Sequence, residues 1–283
     1  INSGNGAAGQ VIDKLNEKLV LNGIKTDFVY LHHNPDSSFP NGIPNPLLEE
    51  NRKSTSNLVK REKADFGVAF DGDFDRCFLF DQLGNFIPGE YVVGFLAKAF
   101  LNKEIGATII HDTRVIWNTQ DVVNGCEGHA VTSRTGHAFV KSTMREAGAI
   151  YGGEMSAHHY FRDFAYCDSG MIPWLLIWEF LSQKKILLSE LVSRRKRQFP
   201  SSGEINFKVS DAENSMRLVK DFYSDIAKVI DEFDGLSMYF DNWRFNLRKS
   251  NTEPLVRLNV ETRADKKLLQ MKTKELTNFI VDT

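Results

Sequence analysis

The densest chemistry in the chain lies in Phe70-Asp71-Gly72-Asp73-Phe74-Asp75-Arg76. Three carboxylates at alternate positions after an apolar run repel one another by several kcal/mol unless a cation sits among them. Gly72 lets the backbone curl so that Asp71, Asp73 and Asp75 converge. A hard divalent ion, magnesium above all, suits such oxygen donors and keeps positions open for a phosphate oxygen. A calcium loop starting at Asp71 needs Gly at its sixth position and Glu at its twelfth; Arg76 and Gln82 stand there, which excludes it. A phosphatase with Asp71 as nucleophile of a D-x-D pair stays open, although Asp75 stands where that chemistry usually has Thr or Val. Phe70 and Phe74 interleave the acids and argue against a merely solvated turn.

Two further segments carry ligand-binding side chains. Gly152-Gly153-Glu154-Met155-Ser156-Ala157-His158-His159-Tyr160-Phe161 follows a strand-like stretch ending near Tyr151. Paired glycines permit a sharp turn that presents Glu154 and Ser156 at the strand's carboxyl end, where ligand sites of α/β sheets gather. A carboxylate and a hydroxyl two residues apart can accept from and donate to neighbouring sugar hydroxyls, whereas His158 and His159 among aromatics fit simple packing equally well. Arg248-Lys249-Ser250-Asn251-Thr252-Glu253-Pro254 lies between two strand-like runs, with Arg257 just beyond. Cations, hydroxyls, an amide and turn backbone N–H groups make a cradle for a phosphate dianion; a polar hairpin turn is the alternative. Arg114, after Thr108–His111, and Thr135-Gly136-His137 stand at strand-to-helix turns, where ligand contacts are expected.

These loops need elements to hold them. From Ile1 to about Asn85, Val11, Ile12, Leu15 and Leu19 recur at helical spacing, Asp27 to Leu31 reads as a short strand, and a Pro/Asn/Gly-rich loop runs from Asn34 to Pro46. A polar helix then leads into the strand Phe66–Phe70, and Cys77–Phe80 returns as another. A second alternating block, from about Phe86 to Arg197, starts with a helix over Tyr91–Leu101. Phe199–Gly203 reads as a linker, followed by a strand, a long helix to about Phe233, three strand candidates and a closing helix over Ala264–Val281. The pattern predicts two consecutive α/β domains, 1–85 and 86–197, with mixed, mostly parallel sheets, and an α+β domain over 198–283.

Composition excludes several classes. The 283 residues carry a formal net charge of -2, which offers no electrostatic reason for a nucleic-acid or anionic-membrane partner. The basic run Arg194–Arg197 closes a helix-like segment and reads as a solvated helix end. Cys77, Cys126 and Cys167 are odd in number and widely spaced, which fits a reducing cytoplasm instead of a disulfide framework or a zinc site. The longest apolar stretch, Met171–Leu181, is interrupted by Pro173 and Glu179 and is too short for a bilayer. Gly4-Asn5-Gly6-Ala7-Ala8-Gly9 matches G-x-G-x-x-G literally, but Asp27 precedes its strand where the dinucleotide fingerprint needs an acid ending it; a tight, close-packed turn is the expectation. Residue 1 is not Met, and Ile1-Asn2-Ser3-Gly4 reads as the tail of a strand, so further sequence upstream is expected.

The Gly-Asn-Gly opening, Phe39-Pro40-Asn41-Gly42-Ile43-Pro44-Asn45-Pro46, D-G-D-F-D-R, T-G-H, G-E-M-S and R-x-S-N-T-x-P follow one another in an order that resembles the α-D-phosphohexomutase superfamily across essentially the whole chain. The Glu154-Met155-Ser156 triplet is similar to the phosphomannomutase branch; phosphoglucomutases typically carry Glu-Glu-Ser there and phosphoglucosamine mutases Glu-Gln-Ser. The continuation Ala157–Phe164 is similar to bacterial enzymes that supply GDP-mannose for surface polysaccharide, with Ala157 standing where many relatives have Gly.

The resemblance implies domains two, three and four of a four-domain enzyme built around a cleft. A first domain would carry a phosphoserine in a T-A-S-H-N-P-like loop; His33-Asn34-Pro35 lacks the serine, so this chain alone is expected to be inactive. It implies that Asp71, Asp73 and Asp75 hold Mg²⁺, that Arg76 flanks the transferring phosphoryl group, and that Glu154 and Ser156 grip the sugar's 3- and 4-hydroxyls. Arg114 joins them as a further substrate contact, and Arg248, Ser250, Asn251, Thr252 and Arg257 hold the phosphate not being transferred. His158 and His137 are candidates for proton transfer or phosphate contact. The resemblance further implies that mannose 6-phosphate and mannose 1-phosphate interconvert through a sugar 1,6-bisphosphate that also primes the enzyme. Phosphoglucomutase or dual specificity is the nearest alternative, since mannose and glucose differ at C2 while the loop reads C3 and C4. A non-catalytic sugar-phosphate-binding module is the alternative of another class.

Overall fold

The computed structural model describes residues 1–250 and 255–281. Near the amino terminus, helix α1 (Ala8–Leu21) is followed by a long loop, then α2 (Lys53–Glu62) and the strands β1 (Phe66–Phe70) and β2 (Cys77–Asp81). β1 and β2 pair antiparallel from Phe66↔Asp81 to Phe70↔Cys77, so Asp71–Arg76 is their connecting loop. The segment expected as a strand over 27–31 runs beside residues 1–3 without a full ladder: Leu31 N–H donates to the Ile1 carbonyl (2.8 Å) and Ser3 N–H to the Leu31 carbonyl (3.0 Å). The glycine-rich opening packs as a turn should. A Cβ on Gly6 would collide with the Gly72 carbonyl and one on Gly9 with the His33 carbonyl. Ala7 N–H donates to the Gly72 carbonyl (3.1 Å), so the literal dinucleotide motif is a backbone brace for the carboxylate loop.

The middle of the chain runs α3 (Gly89–Leu101), β3 (Thr108–His111), α4 (Trp117–Gly125), β4 (His129–Thr132), α5 (His137–Glu146), β5 (Tyr151–Gly153), β6 (His159–Phe161), β7 (Cys167–Asp168), α6 (Met171–Lys184) and α7 (Leu188–Gln198). Its sheet has the order β4-β3-β5-β6-β7, with β3 parallel to β4 and β5 and the pairs β5–β6 and β6–β7 antiparallel. The switch in direction falls at Glu154–His158, because so short a connection can only turn the chain back on itself. Val68, Phe70 and Leu79 from β1 and β2 share one core with Tyr91, Val92, Leu96, Trp174 and Ile177. The first two sheets are therefore welded together by apolar burial, each such side chain contributing roughly 1.5–3 kcal/mol. Within Arg194–Arg197, Arg195 turns inward, donating to Asn118 Oδ1 (2.7 Å) and pairing with Asp121 (2.8 Å), and the Lys196 ammonium lies over the buried Tyr91 ring.

The remainder comprises β8 (Ser201–Lys208), α8 (Ala212–Tyr223), β9 (Val229–Asp231), β10 (Leu236–Tyr239), β11 (Trp243–Lys249), β12 (Leu255–Thr262) and α9 (Lys266–Val281). The five strands form an antiparallel sheet in the order β8-β12-β11-β10-β9. α8 starts on Asp211, whose Oδ1 accepts from the N–H groups of Glu213 (3.1 Å) and Asn214 (3.0 Å). It ends at Tyr223, ten residues short of the expected end, because Val229–Asp231 is recruited as an edge strand against β10. Alternation divides the sheet sharply: Phe245, Leu247, Val256, Leu258 and Val260 face a core of their own. Arg244, Asn246, Asn259 and Glu261, all buried, occupy the other face. Among the described residues no helix is long and apolar enough to cross a membrane.

Candidate active site

The β1–β2 connection concentrates negative charge along a path from the interior to the surface: Asp71 is buried, Asp75 half-buried and Asp73 exposed. Asp71 is 3% exposed, and carboxylate oxygens of Asp71, Asp73 and Asp75 all lie within 4.8 Å of one another. Burial pushes the Asp71 carboxyl up to about 6; Arg76 opposes that shift and Asp75 adds to it. Arg76 is the internal counter-ion: its backbone N–H donates to Asp71 Oδ1 (3.2 Å) and its Nε to Asp71 Oδ2 (2.6 Å), while Nε stands 3.6 Å from Asp75 Oδ1. That Asp75 oxygen is buried and makes no hydrogen bond among the described residues. Three converging hard oxygens with one unsatisfied and another disfavoured as an anion fit a divalent cation with oxygen preference. Phe74 reaches this geometry with φ 51°, a left-handed backbone.

The loop after β5 meets this cluster directly. Arg76 and His158 form an isolated antiparallel bridge, and His158 Nε2 lies 3.5 Å from Asp75 Oδ2. The His158 ring is the leading influence holding Asp75 below its ordinary value. Asp75, His158 and Asp168 also bring ligand atoms within 4.8 Å of one another, with Lys141 Nζ 2.9 Å from Asp168. On its other side His158 Nδ1 is 3.3 Å from Ser156 Oγ, and Arg114 Nη2 donates to that same oxygen at 3.3 Å. Glu154, 2% exposed, accepts from Tyr160 Oη (2.6 Å) and Gly136 N–H (2.9 Å), with Arg114 Nη2 at 3.7 Å.

Arg114 is the hub. Both Asp112 oxygens engage it, through the Arg114 N–H at 3.1 Å, Nε at 3.0 Å and Nη2 at 2.5 Å, and Met155 N–H also donates to Asp112 (3.0 Å). Against the burial that pulls its guanidinium down, Asp112, Glu154 and Glu204 hold Arg114 above the usual arginine value. Glu204 then bridges modules, 3.5 Å from Arg114 Nη1 and 3.3 Å from Arg257 Nη1, and Arg257 Nη2 donates to Ser250 Oγ at 3.3 Å. Arg248 lies nearby; burial and then the Arg114 charge pull its guanidinium below the ordinary value, and its buried Nε has no hydrogen-bond partner among the described residues. A surface cavity of about 460 Å³ opens beside it, lined also by Arg217, Lys220 and Asp234.

A continuous seam thus runs from Asp71 and Asp75 through His158, Ser156, Arg114 and Glu204 to Arg257 and Ser250. It unites Asp71, Asp73, Asp75, Arg76, His158, Glu154, Ser156 and Arg114 with Arg257, Ser250 and Arg248. His137 heads α5 and is exposed; its neighbour Gly136, not its ring, touches Glu154. Asn251 and Thr252 lie outside the described residues. Lys249 alternates to the other side of β11 and pairs with Glu213 (2.7 Å). Sequence reasoning missed Asp112, Tyr160, Asp168 and Glu204. Asp112 had a signal, an acid at the end of a β strand two residues before Arg114; the others are placed only by tertiary pairing.

Comparison with known proteins bears on what this seam is. Models described as phosphoglucomutase/phosphomannomutase, alpha/beta/alpha domain II, alpha/beta/alpha domain III and C-terminal domain match residues 1–84, 88–199 and 204–277. A phosphomannomutase of Escherichia coli is 57% identical over 276 residues, covering 98% of this chain and 60% of that protein. A solved phosphoglucomutase/phosphomannomutase family protein from Burkholderia thailandensis superimposes with a TM-score of 0.82 at 28% identity, covering 99% of this chain and 59% of the other. An Aspergillus fumigatus N-acetylphosphoglucosamine mutase, solved with GlcNAc-6P and magnesium, shares the fold at a TM-score of 0.66 and 13% identity, covering 99% of this chain and 64% of its own. The chain spans about 60% of the length of such curated relatives.

Proposed function

The chain belongs to the phosphoglucomutase/phosphomannomutase family, and from that premise we propose that it supplies the metal, sugar and phosphate sites of a phosphomannomutase. The observation that carries this reading is the unbroken seam from the carboxylate loop to Ser250, which ties three modules, 1–85, 86–197 and 198–283, into one ligand-binding surface.

In this reading Asp71, Asp73 and Asp75 hold Mg²⁺, the metal present in the fungal neighbour of the same fold. When bound, the ion neutralises charge on the phosphoryl group. Arg76, already ordered by Asp71, points its guanidinium at that group. Glu154 and Ser156 take the sugar's 3- and 4-hydroxyls, their positions fixed by Tyr160, Gly136 and Arg114. Arg248, Ser250 and Arg257, with Asn251 and Thr252 beside them in sequence, hold the phosphate that is not being transferred. His158, between Asp75 and Ser156, accepts the proton of the attacking hydroxyl; His137, exposed at the start of α5, is a further candidate for proton transfer or phosphate contact. The phosphoryl group comes from a phosphoserine outside these residues, whose P–O bond breaks as a P–O bond to the sugar forms. The sugar 1,6-bisphosphate then turns over and returns its other phosphate, interconverting mannose 6-phosphate and mannose 1-phosphate for GDP-mannose synthesis in the cytoplasm.

The test is turnover of mannose 1-phosphate by the full-length protein with Mg²⁺ and glucose 1,6-bisphosphate as primer. Conversion to mannose 6-phosphate, with 283-residue protein inactive alone, is expected. No conversion of any hexose phosphate by folded, full-length protein overturns it; tight hexose phosphate binding without turnover identifies a binding module.

A further inference from the structure

The polar face of the C-terminal sheet does something its own core does not require. Arg244 is fully buried, yet only part of its guanidinium serves the sheet: Nη1 donates to Glu261 Oε1 (2.6 Å) and Nη2 to Ser237 Oγ (3.2 Å). The same two nitrogens reach out of the module, Nη1 to the Arg114 carbonyl and Nη2 to the Thr113 carbonyl, both at 2.9 Å. Glu261, 1% exposed, accepts from Ile116 N–H (2.9 Å) and Trp117 N–H (3.1 Å). Those are amides at the start of α4, which has no side-chain cap of its own; an acid from another module provides it. One fork of Arg and one carboxylate thereby fix carbonyls 113 and 114 and amides 116 and 117, on either side of the Arg114 side chain.

A second grip acts in parallel. Asp234 Oδ2 accepts from Thr113 Oγ1 (2.9 Å), Thr135 N–H (3.0 Å) and Thr135 Oγ1 (2.8 Å). Thr135 precedes the Gly136 amide that bonds Glu154. Both loops that hold Glu154 and Ser156 are thus themselves held from the C-terminal module.

An isolated buried ion pair is a poor source of stability compared with apolar side chains of the same volume. Here it donates to and accepts from a loop of another module, so its use is geometric. We propose that Arg244 and Glu261 are positioning residues for the sugar site: they set the 113–117 backbone, hence Arg114, and through Arg114 the placement of Ser156 and Glu154. The sugar site is in this sense built by the module that binds the phosphate. The part concerning sugar binding rests on the mutase reading; the part concerning loop geometry does not.

The experiment uses the full-length protein with Arg244→Lys, Arg244→Met and Glu261→Gln. Lysine keeps the charge but cannot span both carbonyls. The first measurement is hydrogen exchange without ligand. Faster exchange in segments 112–118 and 153–158, with β11 and β12 still protected, is expected, graded with Arg244→Lys mildest. The second is calorimetric affinity for mannose 6-phosphate against inorganic phosphate. Mannose 6-phosphate binding is expected to weaken about 10-fold while phosphate binding stays within about 2-fold. A purely structural pair would lower melting temperature without moving that ratio. Unchanged exchange in segment 153–158, or proportional loss of both ligands, overturns the proposal. Wild-type protein that binds mannose 6-phosphate no better than phosphate defeats the mutase reading instead, and the exchange data still decide the positioning role.

Discussion

Two regions of this molecule bury carboxylates, and they manage the cost in opposite ways. At the carboxyl ends of β3 and β5, Asp112 and Glu154 have both oxygens engaged by groups the fold supplies: Arg114, Met155 N–H, Tyr160 Oη and Gly136 N–H. Burial pushes Asp112 up, but Arg114 and the amides overcome it and hold the carboxyl below its ordinary value. In the β1–β2 connection, Asp71 shares Arg76 with Asp75, its carboxyl is pushed up to about 6 by burial, and a buried Asp75 oxygen makes no hydrogen bond among the described residues. The first region has its charges completed by folding; the second leaves an acceptor oxygen short of partners among the described residues. Charges fully paired within the chain need nothing more, whereas charges left short of partners are those that a bound cation would relieve.

The comparison breaks most visibly at the cation. Stripping Mg²⁺ from the full-length protein, or making Asp75→Ala, should lower phosphoryl transfer at least ~10³-fold, several kcal/mol of charge stabilisation being lost. Stopped assays with and without chelator check this, with activity returning on adding Mg²⁺ to the wild type alone. Retained activity in Asp75→Ala would show that the metal loop is not the site's cation holder. Next in size is Asp112→Asn, which strands a buried Arg114 and should cost roughly 3–5 kcal/mol of stability by urea unfolding. A loss under 1 kcal/mol would mean that Glu154 and Glu204 suffice for Arg114.

Much of this was legible in the chain, and the limit has a physical form. Asp71, Asp73 and Asp75 announce themselves because three carboxylates fall within five consecutive residues, and mutual repulsion is readable from spacing alone. Glu154 with Ser156, and Arg248 with Ser250, stand out likewise because each group of polar side chains falls within a few consecutive residues. What holds them does not: Glu204 reaches Arg114 across ninety residues and Glu261 reaches Trp117 across more, with only the antiparallel sheet to bring them there. The glycines at 4, 6 and 9 were visible, but a pattern cannot say that Gly6 faces the Gly72 carbonyl. The end of α8 was misplaced because Val229–Asp231 is strand only by virtue of β10.

A smaller effect sharpens the contrast by its sign. Asp71→Asn should stabilise the metal-free protein where Asp112→Asn destabilises it. With Asp71 raised from 3.8 to about 6, the folded state keeps its proton while the unfolded chain loses one, so stability falls as pH rises through that window and the loss is complete above it. The asparagine variant lacks this slope. It should match the wild type near pH 4 and exceed it by on the order of 2 kcal/mol at pH 7.5 without metal. Millimolar Mg²⁺ should reverse the order, because only the wild type gains stability from binding. An asparagine variant less stable than wild type in chelator at pH 7.5 would show that Arg76 fully offsets the burial of Asp71.

The smallest expected effect tests whether the completed loop is free of cost. Ala157, buried beside Ser156, adopts φ 72°, as Phe74 adopts φ 51° in the metal loop. Left-handed backbone costs a residue with a Cβ roughly 1–2 kcal/mol, and glycine escapes that while losing more chain entropy on folding. Ala157→Gly should therefore stabilise the protein by about 0.5–1 kcal/mol, since a single methyl is the only packing lost. Phe74→Gly should not, because the Phe74 ring packs against the shared core and its removal outweighs the relief. Melting curves of both variants decide the matter. A destabilised Ala157→Gly would mean that the methyl, and not only the hydrogen bonds around Ser156, holds the sugar loop in shape.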